Sequence, residues 1–470
     1  MKKTILSITE SFHISMDSKL NNRNSSINMM SDKNIDLSKW DNEKVNKNVY
    51  IWIIGSSLAD FMDAYSFVSA GLVIQLLSIA FGKLSSIIEG LIPFSLSFGV
   101  FFGAFFGGKL GDIRGRKWVY SWDMILYAIA SLLAGLSVNI IMFLIAFFFM
   151  GVALGIDVPV SWTLIAEIVP KNFRQRGLTI AYILWILAIP VTYTVVLGID
   201  SLNLGSLSFR VLMWTITLMS LIVFAIRRKI VESPRWLAIK NKEIISLATA
   251  KIKTFRDFLK YYRKYFIAVM ILYIAWGLLA STFGTFTSFI FPGLGFKSFL
   301  SITLVNWAIL TVDIIATYFW APISDKISRR LAFSISGPLF IVGMIIVVIA
   351  SFIVNPLLGL IGLLIFGGFA SASSPTIRTW SVESWPAQLR STIQGQIWSY
   401  MRLASALWLF VVPTLLSAIG TSGVLVIVLV FALITVITGI FFMIPNTNKE
   451  SLEEIENKII LSKEKEAIKK

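Results

Sequence analysis

The chain has 470 residues, of which 56% are hydrophobic and 14% charged, with mean hydropathy +0.79 and a formal net charge of +16. A water-soluble globule carries about 25% charged residues, so this composition excludes a soluble fold and leaves a multi-pass membrane protein, read as all-α from the long apolar stretches below. Cysteine is absent, which excludes disulfides, thiolate metal centres and thiol redox chemistry.

Residues 1–48 are rich in Asn, Ser, Lys and Asp without a sustained apolar period, and read as a disordered tail. MKKTILSI starts like a signal peptide, but its apolar run breaks at Ser7, Thr9 and Glu10. Crossing about 30 Å of hydrocarbon takes about 20 apolar residues. Six such stretches fall near 50–78, 89–110, 119–138, 140–165, 178–199 and 210–228, within a first bundle of 49–228. A linker, 229–264, mixes Lys with Leu, Phe and Tyr and predicts amphipathic helices lying under the bundle. Six more stretches follow near 265–291, 300–323, 331–353, 356–382, 391–418 and 423–445, forming a second bundle of 265–445. The end, 446–470, has i,i+4 charge patterning and predicts a short exposed helix without chemistry.

Lys and Arg concentrate in the even-numbered connections, as in Arg114, Arg116 and Lys117, in the run from Arg227 to Lys264, and in Arg390. Such residues mark the cytoplasmic side, so both termini are expected there. The positive charge is then assigned to membrane flanks facing anionic lipid, not to nucleic acid.

One pattern occurs twice. Pro159, Glu167, Pro170 and Arg174 recur as Pro375, Glu383, Pro386 and Arg390, each shifted by 216 positions. Asp112, Arg116 and Lys117 recur as Asp325, Arg329 and Arg330, shifted by 213. Two motifs in the same order at nearly the same offset mean two homologous halves, and in so apolar a chain such halves point to a carrier built on repeats.

The GxxxD and GRK of GGKLGDIRGRK, the ExxPxxxR at Glu167, and ESPRWL at Glu232 to Leu237 resemble the major facilitator superfamily, most closely its sugar-porter and metabolite:proton symporter branches. The resemblance covers all twelve spans and implies two pseudo-symmetric six-helix bundles, a monomer in the plasma membrane, alternating access and no enzyme activity. It also implies that Asp112, Arg116, Glu167, Arg174, Arg176, Glu232, Arg235, Asp325, Arg329, Glu383 and Arg390 form a conformational latch at one membrane face. The seventh span lacks the Gln and Asn pairs with which sugar porters bind hydroxyls, so sugar and organic carboxylate both stay open.

Charges inside the spans mark the candidate site. Asp60 and Asp63 share a face of the first span, and a carboxylate there must meet a cavity or a cation, which suits proton coupling. The single His13 lies in the tail, so coupling falls to carboxylates. Asp157, Asp313, Arg378 and Arg402 are candidate solute contacts, with Arg378 standing where the repeat has Trp162. An arginine fork there suits a carboxylate solute; alternatively it pairs with Asp313 or Asp63. Trp276, Trp380 and Trp398 are the deepest of the indoles that could stack on a solute. No phosphate loop, metal-ligand cluster or catalytic constellation is present, so no cofactor is expected. The expected function is proton symport of a small polar organic solute; an organic-cation uniporter or antiporter and a non-transporting sensor are the alternatives.

Overall fold

The computed structural model describes residues 37–42, 47–228, 230–241, 246–442 and 450–468. Long apolar helices dominate. The first six spans are Lys47–Phe81, Ser86–Arg114, Arg116–Gly135, Ile140–Ile168, Arg174–Ser201 and Gly205–Arg227. The next four are Phe255–Leu294, Phe299–Trp320, Arg329–Ile353 and Pro356–Glu383. The last helix, Arg390–Phe441, has 52 residues. At 1.5 Å per residue it would be about 78 Å long, far beyond one bilayer. It is broken at Gly420, whose φ of 70° and ψ of 179° no helix accommodates. A left-handed φ suits glycine, which has no Cβ to clash, so 390–419 and 421–441 serve as spans eleven and twelve.

Local sequence sets the helix starts. Asn139 and Asn355, themselves 216 apart, cap spans four and ten by accepting from the amides of Met142 (2.9 Å) and Leu358 (3.0 Å). Thr254 and Asp257 form a reciprocal capping box, so the seventh helix begins at Phe255, ten residues before its apolar stretch. The lipid-facing girdle is built of exposed Ile, Leu and Phe, including Ile145, Phe319, Ile349 and Phe441. Such a surface is stable only against hydrocarbon.

Within the first half, span four packs against spans two and three, and span five against span one; within the second, span ten packs against eight and nine. The halves meet where span two lies along span eleven, span one along seven, and span five along eight. Span two approaches span eleven through glycine. A Cβ on Gly108 would sit 2.3 Å from the Ser391 carbonyl, and one on Gly395 would sit 2.4 Å from the Ala104 carbonyl.

Two expectations about the termini are corrected. Leu37–Asn42 is a helix that packs on the bundle: the Trp40 indole donates to the Ile168 carbonyl (3.2 Å), and Asp41 pairs with Arg235 (2.7 Å). Residues 1–36 of the expected tail lie outside the described residues. The second correction is Leu452–Ile468, which is docked: Leu452, Ile455, Ile459, Ile460 and Glu456 are all buried. The linker holds the short helices Pro234–Lys240 and Leu247–Lys251, at the same end of the molecule as both terminal helices.

Candidate functional site

The doubled motifs converge at that basic end. Glu167 takes Arg116 from its own half (3.1 Å) and Arg390 from the other (2.9 Å). Its repeat counterpart Glu383 takes Arg329 from its own half and Arg174 from the other (3.4 Å). The two glutamates are therefore gripped crosswise, each by one local and one foreign arginine. Asp112 pairs with Arg116 (3.1 Å) and accepts from the amides of Ser391 and Thr392 (3.3 and 2.7 Å), capping the start of span eleven across the boundary.

The terminal helices reinforce this knot. Arg235 joins Asp41 and Glu453 (2.8 Å) and donates to the Glu167 carbonyl (2.7 Å), while Arg390 also pairs with Glu456 (2.8 Å). Burial, opposed by Arg390, pushes the Glu456 carboxyl up to about 7. Glu453 is less enclosed, and there Arg235 overrides burial and brings the carboxyl down to about 2. Glu232 has a local role, accepting from the amides of Arg116 and Lys117 (2.9 and 3.1 Å) at the start of the short helix Arg116–Tyr120. Arg176 is exposed and lies over the Phe173 ring. The side chain of Asp325 lies outside the described residues.

Mid-membrane, the two acids of span one meet the two arginines of the second half. Asp60 binds Arg378 and accepts from the Trp162 indole (2.8 Å). Asp63 binds Arg402 through both oxygens (2.6 and 2.7 Å) and accepts from the Trp185 indole (3.0 Å). Each guanidinium also rests on rings, Arg378 on Trp162 (4.3 Å) and Arg402 on Phe67 (4.0 Å) and Trp398 (4.7 Å). Trp162 and Arg378, which hold the same place in the two halves, thus stack on each other and share Asp60.

All four charged groups are buried. Desolvating them is costly, and each pair is stable because it is closed by further hydrogen bonds and ring faces. Beside them lies a cavity of about 50 Å³, walled by Phe67, Trp162, Arg378, Trp398 and Arg402. A second chamber of about 100 Å³ shares Tyr182, Trp185 and Trp276 with it and reaches Asp313. A water needs about 10–15 Å³ by this kind of measure, so these spaces suit a few waters and not a ring-sized solute. The halves close above them too: a Cβ on Gly71 would meet the Thr285 carbonyl at 1.6 Å, and one on Gly90 the Phe410 carbonyl at 2.2 Å. The conformation is closed at both ends.

Of the expected solute contacts, Arg378, Arg402, Trp276, Trp398 and Asp313 line these chambers. Asp157 does not. It is fully buried among spans three, four and six, where Arg227 pairs with it (2.8 Å) and with Asp123 (3.3 Å). Trp380 does not either, being buried against Phe333. A helical residue's depth is readable from its count, whereas the face it presents depends on partners such as Arg227 that sequence alone does not assign. Tyr182 of span five, which lines both chambers, is not singled out by the sequence, and Trp185, one turn further on, is among the indoles that could stack on a solute but not among the deepest.

Twelve spans, a crosswise knot of ion pairs between the halves and a closed mid-membrane cavity agree with the match of residues 53–409 to the Major Facilitator Superfamily. The chain belongs to that superfamily. It is 28% identical over 420 residues to the minor myo-inositol transporter IolF of Bacillus subtilis (strain 168), covering 86% of this chain and 93% of that one. It is 26% identical over 417 residues to the arabinose-proton symporter of the same organism, covering 80% and 87%. The structure of the proton:xylose symporter XylE bound to 6-bromo-6-deoxy-D-glucose superposes with a TM-score of 0.73 at 16% identity, over 87% of this chain and 98% of that one. The inward-open XylE from E. coli gives 0.66 at 17% identity, over 87% and 99%. Members of this superfamily are transporters and not enzymes, so this chain is a multi-pass membrane transporter with the superfamily's twelve-helix fold.

Proposed function

We propose that this facilitator carries a small polyhydroxylated solute, a cyclitol or monosaccharide, together with protons, by alternating access between its two halves. The observation that carries the reading is the pair of clasps, Asp60–Arg378 and Asp63–Arg402, which join the halves across an indole-lined cavity. Hydroxyls donate to carboxylates and accept from guanidinium and indole N–H groups, so such a solute competes for both sides of each clasp. Its ring CH faces suit the walls of Trp162, Trp276 and Trp398. Similarity to transporters named for myo-inositol and for arabinose with protons supports this solute class.

Opening the site parts each arginine from its acid. A carboxylate left in a low-dielectric cavity is costly unless another positive charge arrives, and a proton taken up by Asp60 or Asp63 supplies it. Solute and proton then enter together, and closing on the other side returns the arginines. On this reading the latch of Glu167, Glu383 and their four arginines holds the cytoplasmic side shut, with both termini in the cytoplasm of a plasma-membrane protein. A carrier needs a bias of only a few kcal/mol between its states, which a buried network can supply. An organic carboxylate is the second reading, favoured by the two guanidinium groups at one cavity and by the Nε of Arg402, which makes no hydrogen bond.

The test is lumenal pH in proteoliposomes on addition of myo-inositol, pentoses, hexoses, mono- and dicarboxylates and organic cations. Acidification by cyclitols or sugars is expected. A response confined to carboxylates would move the assignment to the second reading, and silence across the panel would sink proton symport.

A further inference from the structure

Asp313, in span eight, is set apart from the paired acids in the bundle. Asp60, Asp63, Asp123 and Asp157 each lie beside a guanidinium. Among the described residues no Lys or Arg stands within ion-pair distance of Asp313, although it is only 5% exposed. Its Oδ1 has no hydrogen-bond partner and is turned toward Gly367, on which a Cβ would sit 2.8 Å away. The carboxyl group lines the second chamber with Ser371 in reach of it. The Ser371 hydroxyl is 2.8 Å from the Tyr182 hydroxyl, and the Tyr182 ring carries the Arg378 guanidinium at 5.2 Å. A polar chain therefore runs from Asp313 through Ser371 and Tyr182 to the Asp60–Arg378 clasp.

Among the described residues, the surroundings contain nothing to neutralise an ionised Asp313. Span five presents Tyr182. Span ten presents Ser371 and Gly367, with Arg378 further along and committed to Asp60. The titratable residues of span seven all lie between Arg256 and Tyr273, with none from Ile274 to Leu294, and those of span nine are Arg329 and Arg330 at its start, with none after them. A buried carboxylate with no cation is stable as the neutral acid, which also gains an O–H donor. In that form Asp313 donates to Ser371, and the hydroxyl of Ser371 turns to Tyr182; when ionised, Asp313 accepts from Ser371 and the chain reverses.

We propose that Asp313 is a proton-binding site of this transporter, separate from the span-one acids: it holds a proton while the halves are closed and releases it when the second chamber opens to water. The inference rests on the proton-coupled reading above. The proton comes from and returns to solvent, and no other bond changes.

The experiment compares wild type, Asp313→Asn and Asp313→Glu as full chains in proteoliposomes, with labelled myo-inositol and labelled arabinose as probes. Counterflow exchange reads solute movement without a gradient, and steady-state accumulation under an imposed pH gradient reads coupling. Asparagine copies the neutral acid, so exchange should persist while gradient-driven accumulation falls by roughly tenfold, the equivalent of about one pH unit of driving force. Glutamate should keep accumulation, with its pH midpoint displaced. Accumulation by Asp313→Asn equal to wild type would overturn the assignment. So would loss of exchange in parallel with accumulation while Asp313→Glu remains folded and exchanging, since that pattern makes Asp313 a solute contact. Wild-type protein that exchanges solute yet ignores the gradient would instead overturn the coupled reading itself, whatever the variants do.

Discussion

The latch and the clasp are both networks of buried arginine and carboxylate between the same two halves, yet they are built on opposite plans. In the latch each half contributes one glutamate and each glutamate takes one local and one foreign arginine, so the repeat symmetry survives in the contacts. In the clasp both acids come from span one and both arginines from spans ten and eleven. Span seven, which answers to span one in the second half, has no acid after Asp257 in its first turn. Symmetry suits a part that only opens and closes. Asymmetry suits a part that must tell solute and proton from water, because such a site needs unlike groups facing each other.

The sharpest break is in the clasp. Replacing Arg402 by Ala strands Asp63 in the interior, and removing one member of a buried pair costs about 3–5 kcal/mol. Thermal unfolding in detergent should show that loss, together with abolished counterflow. Asp63→Asn combined with Arg402→Gln should regain most of the stability and none of the transport. If the double variant transports, Asp63 and Arg402 are structural only.

Next comes the symmetry of the latch. Glu167→Gln and Glu383→Gln each weaken two arginine contacts, and each should favour the state open at the basic end by about 1–3 kcal/mol, from the cost of leaving charged groups poorly paired. The chain has no cysteine, so cysteine pairs introduced across that end and spin-labelled report the opening directly. Equal shifts support the crosswise plan, and a shift from one variant alone contradicts it.

A smaller, pH-dependent effect is expected from the helix Leu452–Ile468. Docking raises the Glu456 carboxyl to about 7 from an ordinary 4.5, so the docked form binds the proton more tightly than the undocked one. Its contribution to docking is therefore full below about pH 4.5 and is lost as pH rises through about 7. Glu453, brought down to about 2, acts in the opposite sense, and its contribution is lost only as pH falls from about 4.5 toward 2. Protease cleavage of the terminal helix should thus accelerate between these first two values, and Glu456→Gln should flatten the profile. The smallest effect is at Arg176, exposed beside the network: Arg176→Ala should change stability by no more than about 0.5 kcal/mol, against a clear loss for the buried Arg174→Ala by the same assay.

The comparison also explains what the sequence reveals. Spans, repeat and doubled motifs are legible because apolar length and repeated spacing are linear properties of the chain. The acids of span one stand out for the same reason, as charges in an apolar run. Their partners do not: Asp60 and Arg378 are brought together across more than three hundred residues, and the alternatives of Asp313 or Asp63 for Arg378 look equally good until the helices are packed. Asp157 was misplaced because Arg227 and Asp123, which turn it inward, lie on other spans. Both terminal helices look like solvated tails because few apolar residues dock them, and their fixed points, Trp40, Asp41 and Glu456, are single side chains meeting distant arginines or a carbonyl.

The claim on which the account turns is that solute displaces the arginines and protons replace them. Calorimetric titration of the solubilised wild-type protein with myo-inositol or arabinose, near neutral pH in buffers of different ionisation enthalpy, measures protons taken up on binding. A binding enthalpy that varies with buffer in the sense of net proton uptake is the predicted result. Clear binding with the same enthalpy in every buffer would contradict it.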